Sequence, residues 1–195
     1  MIISIISFKG GVGKTTTAIH LTNFLHTRGK NAVLVDGDPN HSAIAWKERG
    51  NLPFPVINVT ESVPIAKHIF IDTPARPTNE EIQTLINDSD LVVIPTTCDV
   101  LSIDALLLIV GTLQSLKAQN YQILLTQVPP RSYAARDARE LLVSNGLPVF
   151  KTEIRRRAVF AKAALLGTTV KGLKEGADAW NEYNNLGKEI LKYEK

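Results

Sequence analysis

The chain has 195 residues, 44% of them apolar and 21% charged, with a formal net charge of +3. Length and composition point to one globular domain over residues 1–195, able to bury a full core, and exclude a low-complexity chain. A single cysteine, Cys98, excludes an internal disulfide framework and fits a reducing cytoplasm, and no run of about 18 apolar residues is available to span a membrane as a helix.

The first predicted strand, residues 2–8 (IISIISF), runs directly into Lys9-Gly10-Gly11-Val12-Gly13-Lys14-Thr15-Thr16, after which a helical pattern continues to residue 28. A glycine-rich turn between a buried strand and a helix points successive backbone N–H groups at an anion, and the helix N-terminus adds partial positive charge. Lys14 is spaced to reach the β- and γ-phosphates of a nucleotide, and the Thr15 hydroxyl to ligate Mg²⁺. The usual phosphate-loop pattern would have glycine at position 8; here Phe8 stands there, and an extra lysine, Lys9, precedes paired glycines. Helix 14–28 ends on Arg28-Gly29, a basic last turn with a glycine cap.

Further along, the run AVLVDGDPNHSA (32–43) reads as a strand over 31–36 ending in Asp36, with Asp38 just beyond it, and then a helix over 40–49. Strands follow at 54–59 and at 68–73, the latter (HIFIDTPA, 68–75) carrying Asp72 at its carboxyl end. Thr78 or Asn79 caps a helix over 79–88 that has Glu80 and Glu81 in its first turn. Strand 90–95, helix 102–119, strand 121–126 and helix 132–145 come next, then a short strand at 147–150 and helices 156–166 and 176–192. This alternation predicts an α/β fold, a mostly parallel twisted sheet with helices on both faces. Both aspartates then sit where open α/β sheets bind ligands, outside the carboxyl ends of strands.

Charge is uneven. Residues 1–130 hold 9 basic and 11 acidic side chains, a balance of −2, whereas residues 131–195 hold 13 and 8, a balance of +5. Within 151–174 there are seven basic residues against one acidic. The last helix places Trp180, Tyr183, Leu186, Ile190 and Leu191 near helical spacing, while Glu182, Glu189 and Glu194 mix with Lys188, Lys192 and Lys195. That mixture suits a core-packing helix, since a membrane-surface helix would be basic and more apolar.

The loop resembles the deviant Walker A box, K-G-G-x-x-K-[ST], of the ParA/MinD class of ATPases. Residues 34–43 resemble that class's D-x-D-P switch, and residues 68–75 its Walker B segment. The resemblance implies an ATP- and Mg²⁺-dependent ATPase that forms a homodimer when ATP is bound. Its nucleotide site would comprise Lys9, Gly10, Gly11, Val12, Gly13, Lys14, Thr15 and Thr16. Lys9 would reach the nucleotide of the opposite subunit, and Asp38 would orient and activate the attacking water. Thr15 and, through a water, Asp72 would hold Mg²⁺, with Thr73 and Pro74 opening the loop that senses the γ-phosphate. Gln127, at the end of the sixth strand, would contact adenine.

The tract KTEIRRRAVFAKAALLGTTVKGLKEG resembles the family's sequence-independent DNA surface. Arg155, Arg156, Arg157, Lys162, Lys171 and Lys174 are the candidates, although three consecutive arginines on a helix cannot all point one way. The first strand begins at residue 2, so no separate N-terminal DNA-binding domain is expected. The implied function is positioning or segregation of a cargo on nucleoid DNA, in the cytoplasm and away from the membrane. A cargo-bound adaptor, ParB-like or McdB-like, would stimulate hydrolysis. A plasmid, a chromosome or a protein compartment such as the carboxysome would each fit as cargo, with plasmid partition the commonest use. A kinase or ligase of the same fold, or a MinD-like division-site regulator, is the alternative.

Overall fold

The computed structural model describes residues 1–194; Lys195, assigned above to the polar face of the last helix, lies outside the described residues. Strands β1 (Ile2–Ser7), β2 (Ala32–Asp36), β3 (Val56–Asn58), β4 (His68–Ala75), β5 (Leu91–Thr96) and β6 (Tyr121–Leu125) form one sheet in the order β3-β2-β4-β1-β5-β6. Every pairing in it is parallel. β1 lies between β4 and β5 and is covered on both faces, which is why it reads as a nearly continuous apolar run. The chain leaves β1 toward β2 on one side and later builds β5 and β6 on the other. The crevice at the carboxyl end of β1 is therefore a topological switch point, the usual ligand position in such sheets.

The helices are α1 (Lys14–His26), α2 (Ser42–Glu48), α3 (Asn79–Asp88), α4 (Val100–Ser115), α5 (Ala134–Ser144), α6 (Ala158–Leu165) and α7 (Ala177–Ile190). They bury two cores. One joins Ile3, Leu34 and Phe70 of the sheet to Phe24, Trp46, Val159 and Tyr183 of α1, α2, α6 and α7. The other joins Ile6, Val92 and Ile123 to Ile82, Leu106 and Leu142 of α3, α4 and α5. α1 is buried on every side from Thr17 to Leu25, because it is wedged between the sheet and α7. Gly187 makes that wedge possible, since a Cβ there would lie 2.3 Å from the Phe24 ring. In α7 Tyr183, Leu186 and Ile190 are buried, which makes it the core-packing helix expected from its pattern.

Element ends follow local chemistry. Thr78 caps α3 in a capping box with Glu81, so the choice between Thr78 and Asn79 falls to the threonine. α1 closes as Gly29 turns to φ +68° and the Lys30 N–H reaches back to the Leu25 carbonyl.

Three expectations change. The predicted strand 147–150 shrinks to a single bridge between Val149 and Ile123. β4 runs on to Ala75, and the Thr73 hydroxyl donates to the Ile5 carbonyl at 2.7 Å, so Thr73 and Pro74 are part of the sheet and the loop starts at Arg76. The predicted helix 156–166 begins only at Ala158. Arg155 is the bridge partner of Val128, whose N–H bonds Ile154 O at 3.0 Å and whose carbonyl accepts the Arg156 N–H at 2.9 Å. Arg157, at φ −143°, is extended as well, so the arginine run is an extended segment outside the helix.

Candidate nucleotide-binding site

Gly11 (φ +77°) and Gly13 (φ +90°) take backbone conformations that side chains disfavour, so the turn after β1 depends on glycine at both points. Gly13 is the N-cap of α1, and Lys14 is its first residue. The turn is braced from β6: the Thr126 hydroxyl donates to the Val12 carbonyl at 2.7 Å, and the Gln127 side-chain amide donates to the Gly11 carbonyl. The Val12 side chain is buried, leaving only its backbone for a ligand.

Around this turn lies a cavity of about 550 Å³ lined by Gly10, Gly11, Gly13, Lys14, Thr15 and Thr16. Asp38 and Asn40 line its opposite wall, together with Ser42, Ala45, Trp46 and Arg49 of α2. The α2 residues were not anticipated, because nothing in their spacing marks them until α2 folds over the loop. Asp36 was also missed as a support. Its carboxylate accepts the N–H groups of Ala43 and Ile44, both at 2.9 Å, and that of Asp38 at 3.1 Å, and so holds the switch segment against the sheet.

Asp72 is fully buried at the end of β4. One carboxylate oxygen accepts the Thr15 hydroxyl at 2.6 Å, and the other, Oδ1, has no hydrogen-bond partner among the described residues. Burial pushes its pKa up to about 7, Asp36 and Asp38 add to the rise, and Thr15 and Lys14 oppose it. Lys14 is itself pushed down by burial and held up by Asp72 and Asp38. A carboxylate with an open buried oxygen, next to a hydroxyl and amid further acids, fits a hard divalent cation with oxygen ligands. The residues present therefore fit Mg²⁺.

Lys9 does not line this cavity. Its ammonium turns to the start of α4, 2.9 Å from Asp99 Oδ1 and 2.7 Å from Ser102 Oγ. Hydrogen bonds from Thr97, Lys9 and Ser102 hold Asp99 well below the usual carboxylate range. Cys98 has a pKa pushed up to about 11, chiefly by burial, as befits a packing residue and not a nucleophile.

Next to the phosphate cavity, and sharing Gly13, Thr16 and Gln127 with it, is a narrower pocket of about 230 Å³ whose further lining includes Ile154, Arg156 and Phe160. Behind it sits His20, fully buried. It accepts the Val170 N–H at Nε2 (3.1 Å), so Nδ1 carries the proton donated to the Thr16 carbonyl (2.7 Å). It stacks on Tyr183 at 4.8 Å between ring centroids, and burial pushes its pKa down to about 4.

The six basic candidates divide. Arg157 is half-buried and pairs with Glu182 at 2.8 Å and Asp178 at 3.5 Å, Lys162 is bonded to Glu175, and Lys171 lies over the Trp180 ring at 5.6 Å. Arg155, Arg156 and Lys174 are exposed, and their charged groups have no ion-pair partner among the described residues. The charge of Arg157 is thus engaged internally by acids that α7 brings up.

A glycine cradle at a helix N-terminus, a buried lysine and a hydroxyl–carboxylate pair at the switch point of a parallel sheet define a phosphate-loop nucleotide-binding protein. The family model for the CobQ/CobB/MinD/ParA nucleotide binding domain matches residues 3–170, and the chain belongs to that family of P-loop ATPases. Over 97% of its length it is 29% identical to the "Maintenance of carboxysome distribution protein A" of Gloeobacter kilaueensis, covering 93% of that protein. Over 89% it is 26% identical to "Protein ParA" of Rhizobium radiobacter, covering 86%. A putative plasmid partition protein of Borrelia burgdorferi, solved with AMPPNP, has the same fold, with a TM-score of 0.76 at 19% identity and 98% of each chain covered. No helix among the described residues is long and apolar enough to cross a membrane.

Proposed function

We propose that this chain is an ATP-hydrolysing switch. ATP closes two copies face to face, the closed dimer binds DNA without regard to sequence, and a cargo-bound adaptor stimulates hydrolysis and release. The observation that carries this reading is the division of the two loop lysines. Lys14 is buried among the acids of its own cavity, whereas Lys9 stands outside it on the surface beside α4. A cation placed outside its own site can complete the site of a facing copy.

In hydrolysis the water oxygen bonds to the γ-phosphorus as the bond to the β–γ bridging oxygen breaks. ADP and phosphate leave, and the water proton passes toward the acceptor that oriented it. Asp38, on the cavity wall opposite the loop, takes that role, while Lys14 and the N–H groups of the loop offset charge on the phosphates. Thr15 and Asp72 would hold Mg²⁺, which supplies charge neutralisation at the phosphates when bound. The pocket beside Gln127 takes the base, with the Gln127 side-chain carbonyl left to accept from the adenine amino group.

The cargo is DNA or a protein compartment. The relatives carry names of both kinds, and both full-length curated matches named for carboxysome distribution favour the compartment.

The test pairs two variants. Asp38→Ala should bind ATP normally, lose turnover by roughly 10²-fold or more, and elute as a persistent dimer. Lys9→Ala should bind ATP as a monomer. An ATP-dependent Lys9→Ala dimer would refute the trans role, and ATP-driven binding to liposomes in place of random DNA would favour a MinD-like regulator.

A further inference from the structure

The cavity wall opposite the phosphate loop carries a cation that the hydrolysis chemistry above leaves unused. Ser42, Ala45, Trp46 and Arg49 recur at helical spacing (i, i+3, i+4, i+7), so α2 and its C-cap residue Arg49 turn one face to the cavity. The far end of that face is anchored on the segment after α6. The Trp46 indole N–H donates to the Thr168 carbonyl at 2.8 Å. Gly50 and Gly167 pack backbone to backbone, and a Cβ on either would overlap the other segment's main chain. The backbone under Arg49 is therefore fixed. Its side chain is exposed and held only by a long bond, 3.4 Å from Nη1 to the Ala164 carbonyl, and no carboxylate pairs with it among the described residues.

We infer that Arg49 binds the sugar-proximal phosphate of a bound nucleotide, an inference that rests on the nucleotide reading of the cavity. Lys14 and Arg49 are the two cationic side chains that line the cavity among the described residues. Lys14 already lies in the field of Asp72 and Asp38, and Lys9 is turned away to Asp99. One lysine shared among acids leaves a polyphosphate poorly neutralised within its own subunit. A second, uncommitted cation on the same cavity offsets that charge. A guanidinium suits the task, because its planar fork of N–H donors can meet two phosphate oxygens at once.

Which phosphate it meets follows from where α2 starts and stops. The first turn of α2 lies by Asp38 and Asn40, on the side given above to the attacking water. Arg49 comes seven residues after Ser42, roughly 10 Å further along the helix axis. There it lies beside Ala164 of α6, and α6 also supplies Phe160 and Ala161 to the pocket assigned to the base. Arg49 therefore stands on the sugar side of the site, away from the γ-phosphate. Binding exchanges its long Ala164 bond for a charge-assisted one, and the contact persists after the γ-phosphate has left.

The experiment titrates fluorescent ATP and ADP analogues, with Mg²⁺, into the full chain as wild type, Arg49→Gln and Arg49→Lys. Arg49→Gln should bind both nucleotides about tenfold more weakly, the scale of one charge-assisted hydrogen bond, and by the same factor for each. Arg49→Lys should fall between the two, since it keeps the charge and loses the fork. Urea midpoints of the nucleotide-free proteins should coincide, because the side chain is exposed. If Arg49→Gln proves unstable, Arg49→Lys decides: equal losses for ATP and ADP support the inference, and wild-type affinity overturns it. A loss confined to ATP would overturn the sugar-side placement. Wild-type affinity in Arg49→Gln with a lowered midpoint would make Arg49 a cap for the α6 carbonyls and nothing more. If the wild type itself binds neither nucleotide, the reading of the cavity fails and this inference falls with it.

Discussion

The phosphate loop and the tract from Arg155 to Lys174 both concentrate positive charge, and they are built in opposite ways. In the loop, Lys14 is buried in the field of Asp72, on β4, and Asp38, just beyond β2. In the tract, cations lie at the surface; acids from α7 and the turn before it have taken two of them, and the Trp180 ring a third. A lysine held among acids inside a cavity is placed for a ligand that enters it. An arginine already paired with a neighbouring helix is committed to the fold. Equal charge in the sequence thus carries unequal meaning, and partners decide which meaning applies.

Four measurements sharpen or break this contrast. The largest effect should come from Lys14→Ala, which removes the principal counter-charge of the cavity. Losing a charge-assisted hydrogen bond costs about 1.5–3 kcal/mol, and leaving phosphate charge unopposed adds to it, so ATP affinity should fall at least tenfold to a hundredfold. Titration with a fluorescent ATP analogue measures it, and unchanged affinity would dissolve the distinction between the two regions.

The second effect concerns the joint between them, where His20 bonds the Thr16 carbonyl of the phosphate-loop helix and the Val170 N–H of the basic tract. Its folded pKa of about 4 lies below the ordinary 6.5, so the unfolded chain takes up a proton first as pH falls. The stabilisation is complete above pH 6.5 and declines at about 1.4 kcal/mol per unit between 6.5 and 4. Denaturant melts over that range should show the slope, and a His20→Gln variant should flatten it.

Third, Arg157→Ala should cost about 1–3 kcal/mol of stability, since it leaves the half-buried Glu182 carboxylate without its guanidinium. Urea midpoints measure this loss, and a stability-neutral Arg157→Ala would return Arg157 to the DNA candidates. The smallest effect is expected from Lys162→Ala. Its pair with Glu175 is exposed, so neither the urea midpoint nor ATP turnover should change measurably.

Much of this architecture was legible in the residues. Periodicity and caps located all six sheet strands and seven helices to within a few residues, because a buried parallel strand and a capped helix each leave a local signature. The loop from Lys9 to Thr16 was legible for the same reason: glycine at positive φ, lysine and threonine act together within one turn of chain. Asp36 was seen as a strand-end acid, but its bonds to Ala43 and Ile44 depend on how the switch segment curls back. Nor did any pattern disclose the cavity wall formed by Trp46 and Arg49 or the turning of Lys9 toward Asp99.

The sequence by itself determined the fold class and the glycine-rich loop of a nucleotide-binding family, and it singled out a lysine, a hydroxyl and aspartates that the fold brings together. All of these are written in contiguous residues whose chemistry needs no distant partner to be recognised. Only the tertiary structure decided which cations remain free. Arg157 meets Glu182 across 25 residues of chain and Arg49 reaches the Ala164 carbonyl across 115, and such contacts exist only once α7 and α6 have been packed into place.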